Sequence, residues 1–286
     1  MKCYRQWGGI AALAAMILMT GGILTPARAT APTGQLDFPA VSNGLFAWGD
    51  TTFEVHVGTY SVNAYVGIFD PTLTILTGNP AGLTNGHVAD VCNQITEDIV
   101  PPNKYEYDIK SLGDSSFPSP YGSYSQTVAA EIGSTINDFL NLSTTDTSYD
   151  WGISGGALTK MTGSAEADWS AATQLAIWDL CYNTVNADGT TSGPLTTGAS
   201  STVAGDAKAI LSYEVANAKL SDVNDAAWFS SSSTNSPPNA QDQLLRIQPV
   251  PEPGFIQLAA FLSLGGLGLL RKRRGTGLRT AAALAI

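Results

Sequence analysis

Charge is scarce in this chain of 286 residues: Asp, Glu, Lys and Arg together make up only 13% of it. That excludes a coiled coil, and the 44% of hydrophobic residues excludes a disordered chain. Positive charge is scarcer still in the body. Between Thr30 and Val250 six basic residues stand against 23 acidic ones, a net charge of −17, and the other eight cations lie at the two ends. Such a surface repels phosphate backbones, so nucleic acid is excluded as a partner. Histidine is limited to His56 and His87, both read as ordinary surface or strand residues. No Cys or His pair has metal-ligand spacing, so neither a metal nor a cofactor is expected. Asn186-Ala187-Asp188-Gly189 resembles part of a calcium loop, but Thr184 and Leu195 stand where acidic ligands belong, and a tight turn explains it better. No glycine loop ending in lysine is present to cradle phosphate. Serines are abundant, so chance triads are plentiful, and a secreted hydrolase resting on carboxylates stays open as a third class of function.

What is present is concentrated first at the ends. Residues 1–29 have the parts of a secretory signal: Lys2 and Arg5, an apolar run from Gly8 to Leu24, and Ala27-Arg28-Ala29 with small residues at the cleavage positions. A first membrane helix is the weaker reading, because the run is short and interrupted by glycine. Cys3 leaves with this peptide. Near the other end, Val250-Pro251-Glu252-Pro253 precedes an apolar stretch from Gly254 to Leu270 and then Arg271-Lys272-Arg273-Arg274. Seventeen residues is the lower edge of a membrane span, and the basic cluster behind it would stay cytoplasmic, leaving the acidic body outside.

Residues 250–274 resemble the PEP-CTERM sorting signal of exported Gram-negative proteins, with its Pro-Glu-Pro, short span and arginine cluster in order. The resemblance implies recognition and cleavage by an exosortase after passage through the secretion machinery, with only transient anchoring in the inner membrane. It also implies a destination in the cell envelope, at the outer surface or in an exopolysaccharide-bearing matrix. Residues 275–286 form a tail longer than that family's usual abrupt stop.

The body, residues 30–249, reads as one α+β domain with an antiparallel sandwich or barrel-like part and a helical part. Thr30–Gly49 is expected to lead into the fold. Thr51–Val57 and Ser61–Ile68 alternate as strands around a turn at Gly58-Thr59-Tyr60, and Thr72–Leu76, Tyr105–Ile109 and Leu244–Ile247 are further strands. Helical spacing appears over Val128–Leu142, over Trp169–Leu180 with Trp169, Thr173, Ala176, Ile177 and Leu180 as its stripe, and over Val203–Leu220 with Ala207, Ile210, Leu211 and Val215. Phe229–Gln243 is expected to be an exposed loop. No internal repeat is found.

Export leaves Cys92 and Cys181, for which a disulfide is the default in an oxidising compartment. The stretch Thr173-Gln174-Leu175-Ala176-Ile177-Trp178 resembles the signature of thioester domains, best known from Gram-positive surface adhesins. That resemblance implies an internal bond between the side chains of Cys92, in Asp90-Val91-Cys92-Asn93, and Gln174. Thr173, Ala176, Ile177 and Trp178 would line its pocket. The family places an aromatic residue before the cysteine and a carboxylate soon after; here Val91 precedes and Asn93 follows, with Asp90 and Glu97 nearby but out of register. On a helix Gln174, Trp178 and Cys181 share one face. The implied function is covalent attachment to an amine-bearing surface, without turnover. The alternative is a structural matrix protein held by a Cys92–Cys181 disulfide.

Overall fold

The computed structural model describes residues 31–40, 51–95, 99–100, 102–114, 118–119, 122–123, 125–140, 151–154, 156–160, 165–231 and 241–247. In chain order these form β1 (Thr33–Phe38), β2 (Thr51–Val57), β3 (Tyr60–Val66), β4 (Thr72–Thr77), β5 (Gly86–His87), β6 (Asp90–Cys92), β7 (Asn103–Ser111), β8 (Pro118–Ser119) and β9 (Gly122–Ser123). There follow α1 (Gln126–Phe139), β10 (Trp151–Ser154), β11 (Ala157–Lys160), α2 (Ala165–Tyr182), β12 (Thr184–Val185), β13 (Thr191–Ser192), β14 (Leu195–Thr197) and α3 (Ser201–Asn217). A 3₁₀ turn (Leu220–Asn224), β15 (Ala226–Ser231) and β16 (Gln243–Arg246) complete the fold. The expected mixture of antiparallel sheet and helices is what the chain adopts. The leader with Ala27 and Ala29, the sorting residues Pro251 to Arg274 and the tail lie outside the described residues. Among the described residues no helix is long and apolar enough to cross a membrane.

The main sheet has seven antiparallel strands in the order β5-β4-β1-β7-β15-β16-β6. Its two end strands are consecutive in the chain, and a bridge between Phe69 and Asp90 carries β6 toward the β4 side, so the sheet curls on itself. Strand period explains the pattern: β7 buries Tyr105, Tyr107 and Ile109 and turns the residues between them outward. Register aligns Phe229 with Ile109, Gln243 with Phe229, and Cys92 with Gln243. These four therefore share the inward face with Leu36, Phe38 and Tyr107. A Cβ on Gly34 of β1 would lie 3.1–3.2 Å from Ile109, Phe229 and Leu73, so the curled sheet packs across this glycine. A second sheet, β14-β2-β3, contains the predicted hairpin, whose turn uses Gly58 at φ +60.

Three expectations are corrected. The segment read as a lead-in supplies β1, which is central in the sheet. The stretch Phe229–Gln243, read as exposed loop, begins and ends in sheet: Phe229 is fully buried in β15 and Gln243 in β16. Their apolar neighbours Trp228 and Leu244 pair across the ladder, which the serine-rich middle concealed. On α3 the inward residue that follows Leu211 is Glu214, not Val215.

Ser125 and Ser200 cap α1 and α3, each accepting a backbone N–H three residues on at 3.2 Å. Helix α2 departs furthest from expectation. Its sequence predicts a one-sided stripe, yet every residue from Trp169 to Tyr182 is buried. It packs on α1, α3, the β2–β3 hairpin and β6. A helix enclosed on all sides must satisfy its polar groups internally. Ser170 accordingly accepts the Ile68 N–H at 2.9 Å, and the Thr173 hydroxyl donates to the Trp169 carbonyl at 2.9 Å.

Candidate functional site

The site lies where the central helix meets the last strand of the curled sheet. Cys92 ends β6, and Gln174 stands in the middle of α2, 82 residues later. The Gln174 carboxamide lies against the Cys92 backbone as a peptide group would. Its oxygen Oε1 accepts the Cys92 N–H at 3.0 Å, and its Nε2 donates to the Cys92 carbonyl at 2.7 Å. The Cys92 thiol reaches the same Oε1, with Sγ 3.5 Å away. Cys92 is 3% exposed and Gln174 not at all, so water is excluded from the pair.

Burial pushes the Cys92 thiol well above its usual range, and the Asp90 carboxyl adds to this; the Trp178 indole beside it pulls the other way. The thiol is therefore protonated at rest. The buried Trp178 Nε1–H lies near the sulfur without reaching full hydrogen-bond geometry. Its position one helical turn after Gln174 puts the ring on the Cys92 side of α2. Cys181, a turn further on, is also close enough to act on the Cys92 thiol, and no disulfide joins the two.

Gln174 meets Cys92 as expected of the bond's second half, and of the four pocket residues named from sequence Trp178 lies beside the sulfur. Thr173, Ala176 and Ile177 are fully buried, but helical geometry sends Ala176 to the far side of α2, some 200° from Gln174. A cleft of about 470 Å³ opens between α2, α3 and the β12–β14 excursion, lined by Leu175, Asp179, Thr191 and Lys208. Neither Cys92 nor Gln174 lines it. Burial raises the Asp179 carboxyl to about 6, while hydrogen bonds from Asn183 and Thr191 oppose that shift.

His56 pairs with Glu54 at 3.4 Å and His87 with Asp70 at 3.2 Å, all on the partly exposed faces of their strands or loops. Asn186–Gly189 is the expected tight turn, closed by Gly189 N–H to the Asn186 carbonyl at 2.9 Å with Gly189 at φ +75. Among the described residues no cluster of three or more His, Cys, Asp or Glu could hold a metal ion. Gly152 to Gly156 carry the Gly-x-Ser-x-Gly spacing of a nucleophile elbow, but Gly152 and Ser154 belong to β10, which pairs with β11 and not with a helix.

Sequence reasoning left one neighbour of the sulfur without a role. Asp90 is fully buried two residues before Cys92, and neither of its carboxylate oxygens has a hydrogen-bond partner. Burial first, and Asp70 second, hold its carboxyl far above the usual carboxylate range. The strand alternation of Asp90-Val91-Cys92 was the signal that could have found it.

Comparison with protein-family models, with curated proteins and with solved structures gave no match to this chain.

Proposed function

We propose that the body is an internal-thioester module in an exported cell-envelope protein, and that it attaches covalently to an amine-bearing surface without turnover. The observation that carries this reading is the burial of a thiol against a glutamine carboxamide, sulfur to oxygen 3.5 Å. The Cys92 sulfur attacks the Gln174 side-chain carbon, ammonia leaves, and a thioester remains. The Cys92 N–H already donates to the oxygen on which charge develops in the tetrahedral intermediate, as an oxyanion donor does. The departing nitrogen is held on the Cys92 carbonyl. Exclusion of water then protects the bond from hydrolysis. An amine that reaches the acyl carbon releases the thiol and stays joined through Gln174. Since both residues are closed to solvent, that attack waits for the site to open.

Export and sorting complete the proposal and rest on sequence: the leader of residues 1–29, and the signal running from Pro251-Glu252-Pro253 to Arg271–Arg274. Handling by an exosortase would deliver the domain to the outer surface or an exopolysaccharide matrix.

A second reading is favoured by the same hydrogen bonds. Gln174 pairs both polar groups of the Cys92 backbone, so it also serves as a brace between helix and sheet in a structural matrix protein. The intact mass of the exported, non-reduced protein decides, followed by peptide mapping. Loss of one ammonia linking the Cys92 and Gln174 peptides supports attachment, and Cys92→Ala and Gln174→Ala should each abolish both that loss and capture of a small amine. An unmodified mass leaves the brace. Loss of two hydrogens linking Cys92 to Cys181 gives the stapled matrix protein.

A further inference from the structure

We propose that Asp90 is the proton carrier of thioester closure, passing the Cys92 thiol proton to the ammonia that leaves Gln174. The proposal rests on the thioester reading and goes one step further into its chemistry.

Asp90 is a buried carboxyl with no structural partner. Burying a carboxyl without partners is expensive, and native proteins seldom leave both of its oxygens unsatisfied. Asp90 does so at zero exposure, while its backbone is fully used: its N–H donates to the Phe69 carbonyl at 3.2 Å and its carbonyl accepts the Phe69 N–H at 2.9 Å. The side chain thus contributes nothing visible to the fold. Its direction, however, is fixed. Leu245 pairs with Asp90 and Gln243 with Cys92, so the carboxyl and the thiol leave the same face of β6. Two residues of strand separate their Cα atoms by about 7 Å, and both side chains project from that face.

Closure poses a proton problem that this placement answers once the Asp90 side chain turns onto the pair, since neither of its oxygens is hydrogen-bonded to Sγ or Nε2 in the resting structure. The thiol is protonated at rest, amide nitrogen is a poor leaving group, and no water reaches the pair. A neutral carboxyl exchanges protons in both directions at once. It gives its own proton to Nε2 as the Cδ–Nε2 bond breaks, and takes the proton of Sγ as the Sγ–Cδ bond forms. Ammonia departs, Asp90 ends as it began, and no outside acid or base is consumed. Burial holds the carboxyl in the protonated form that this exchange needs.

The test uses the reverse reaction. Ammonia attacks a thioester to restore the thiol and the carboxamide, so exposing the closed protein to ammonium and then removing it sets the starting point. Reclosure is followed in the intact mass as loss of one ammonia. Asp90→Asn, of the same shape but unable to exchange protons in this way, should reclose at least about 100-fold more slowly than the wild type. Asp90→Glu should recover part of that rate, which a merely structural role would not predict. Thermal melting confirms that each variant is folded. Should Asp90→Asn fail to fold, Asp90→Glu closing and Asp90→Ser not closing make the same comparison. Reclosure of folded Asp90→Asn or Asp90→Ser at the wild-type rate overturns the role of Asp90 and leaves the thioester standing. A wild-type protein that never loses ammonia overturns both.

Discussion

At the scale of single residues, the two halves of the candidate bond make different contributions to the fold. Gln174 satisfies two buried backbone groups of Cys92, whereas the Cys92 side chain satisfies none of the sheet's hydrogen bonds. Gln174→Ala should therefore cost about 1–3 kcal/mol for each group it strands, on top of the lost packing. Cys92→Ala keeps both hydrogen bonds and should cost less. Urea unfolding of the two variants side by side checks the order, and equal losses would contradict it. The candidate pair itself was legible only through resemblance. Nothing in the local pattern of Asp90-Val91-Cys92 points to a helix 82 residues away, because contacts at that separation are made by tertiary packing. Trp178 was legible for a different reason: it follows Gln174 by one helical turn, a spacing that any helix enforces.

At the scale of elements, strong periodicity was readable and enclosure was not. The alternation in β2 and β7 gave their existence directly, since the polar residues between the buried ones face solvent. In β1 the inward positions are Gly34, Leu36 and Phe38, and a glycine at one of three weakens the pattern enough to hide a central strand. In α2 the polar residues Ser170, Gln174 and Asp179 lie off the expected stripe and suggest exposure, yet all three are buried. Helix α1 has its own tight contact. A Cβ on Gly133 would stand 2.0 Å from the Asp222 carbonyl oxygen of the 3₁₀ turn, where backbone must move to admit it. Gly133→Ala should thus destabilise by about 1–3 kcal/mol in spite of alanine's better helix propensity, measurable as a lower urea midpoint. Loss of the α3 cap in Ser200→Ala should cost about 1 kcal/mol in the same assay.

At the scale of the whole molecule, acidity is the dominant variable. Burial lifts Glu214 to about 8, with the Ser134 hydroxyl opposing and Asp138, Asp222 and Glu131 reinforcing. Asp179 is lifted to about 6. Between the ordinary carboxylate range and these values the folded chain holds protons that the unfolded chain has released. Stability therefore falls as pH rises through that window, at up to roughly 1.4 kcal/mol per pH unit for each group, and levels off above it. The excess of acidic residues across the body acts in the same direction. Melting temperature should be higher at pH 5 than at pH 8, and Glu214→Gln should flatten the upper part of that slope. A melting temperature that climbs from pH 5 to pH 8 would show that the buried carboxylates are not set as described.

The register of the main sheet has one more consequence, for where the chain can be tethered. Strand β1 enters opposite Asp108, near the Ser111 end of β7, and β16 leaves opposite Ala226, which lies beyond the same end. Entry and exit therefore share one rim of the curled sheet. A short linker between residues 247 and 31 would close the body into a ring, and new ends could be opened at the exposed residues Asn186–Asp188 without crossing the core. Whatever holds either end of the chain holds this domain by one side and leaves the opposite rim pointing away from the point of suspension.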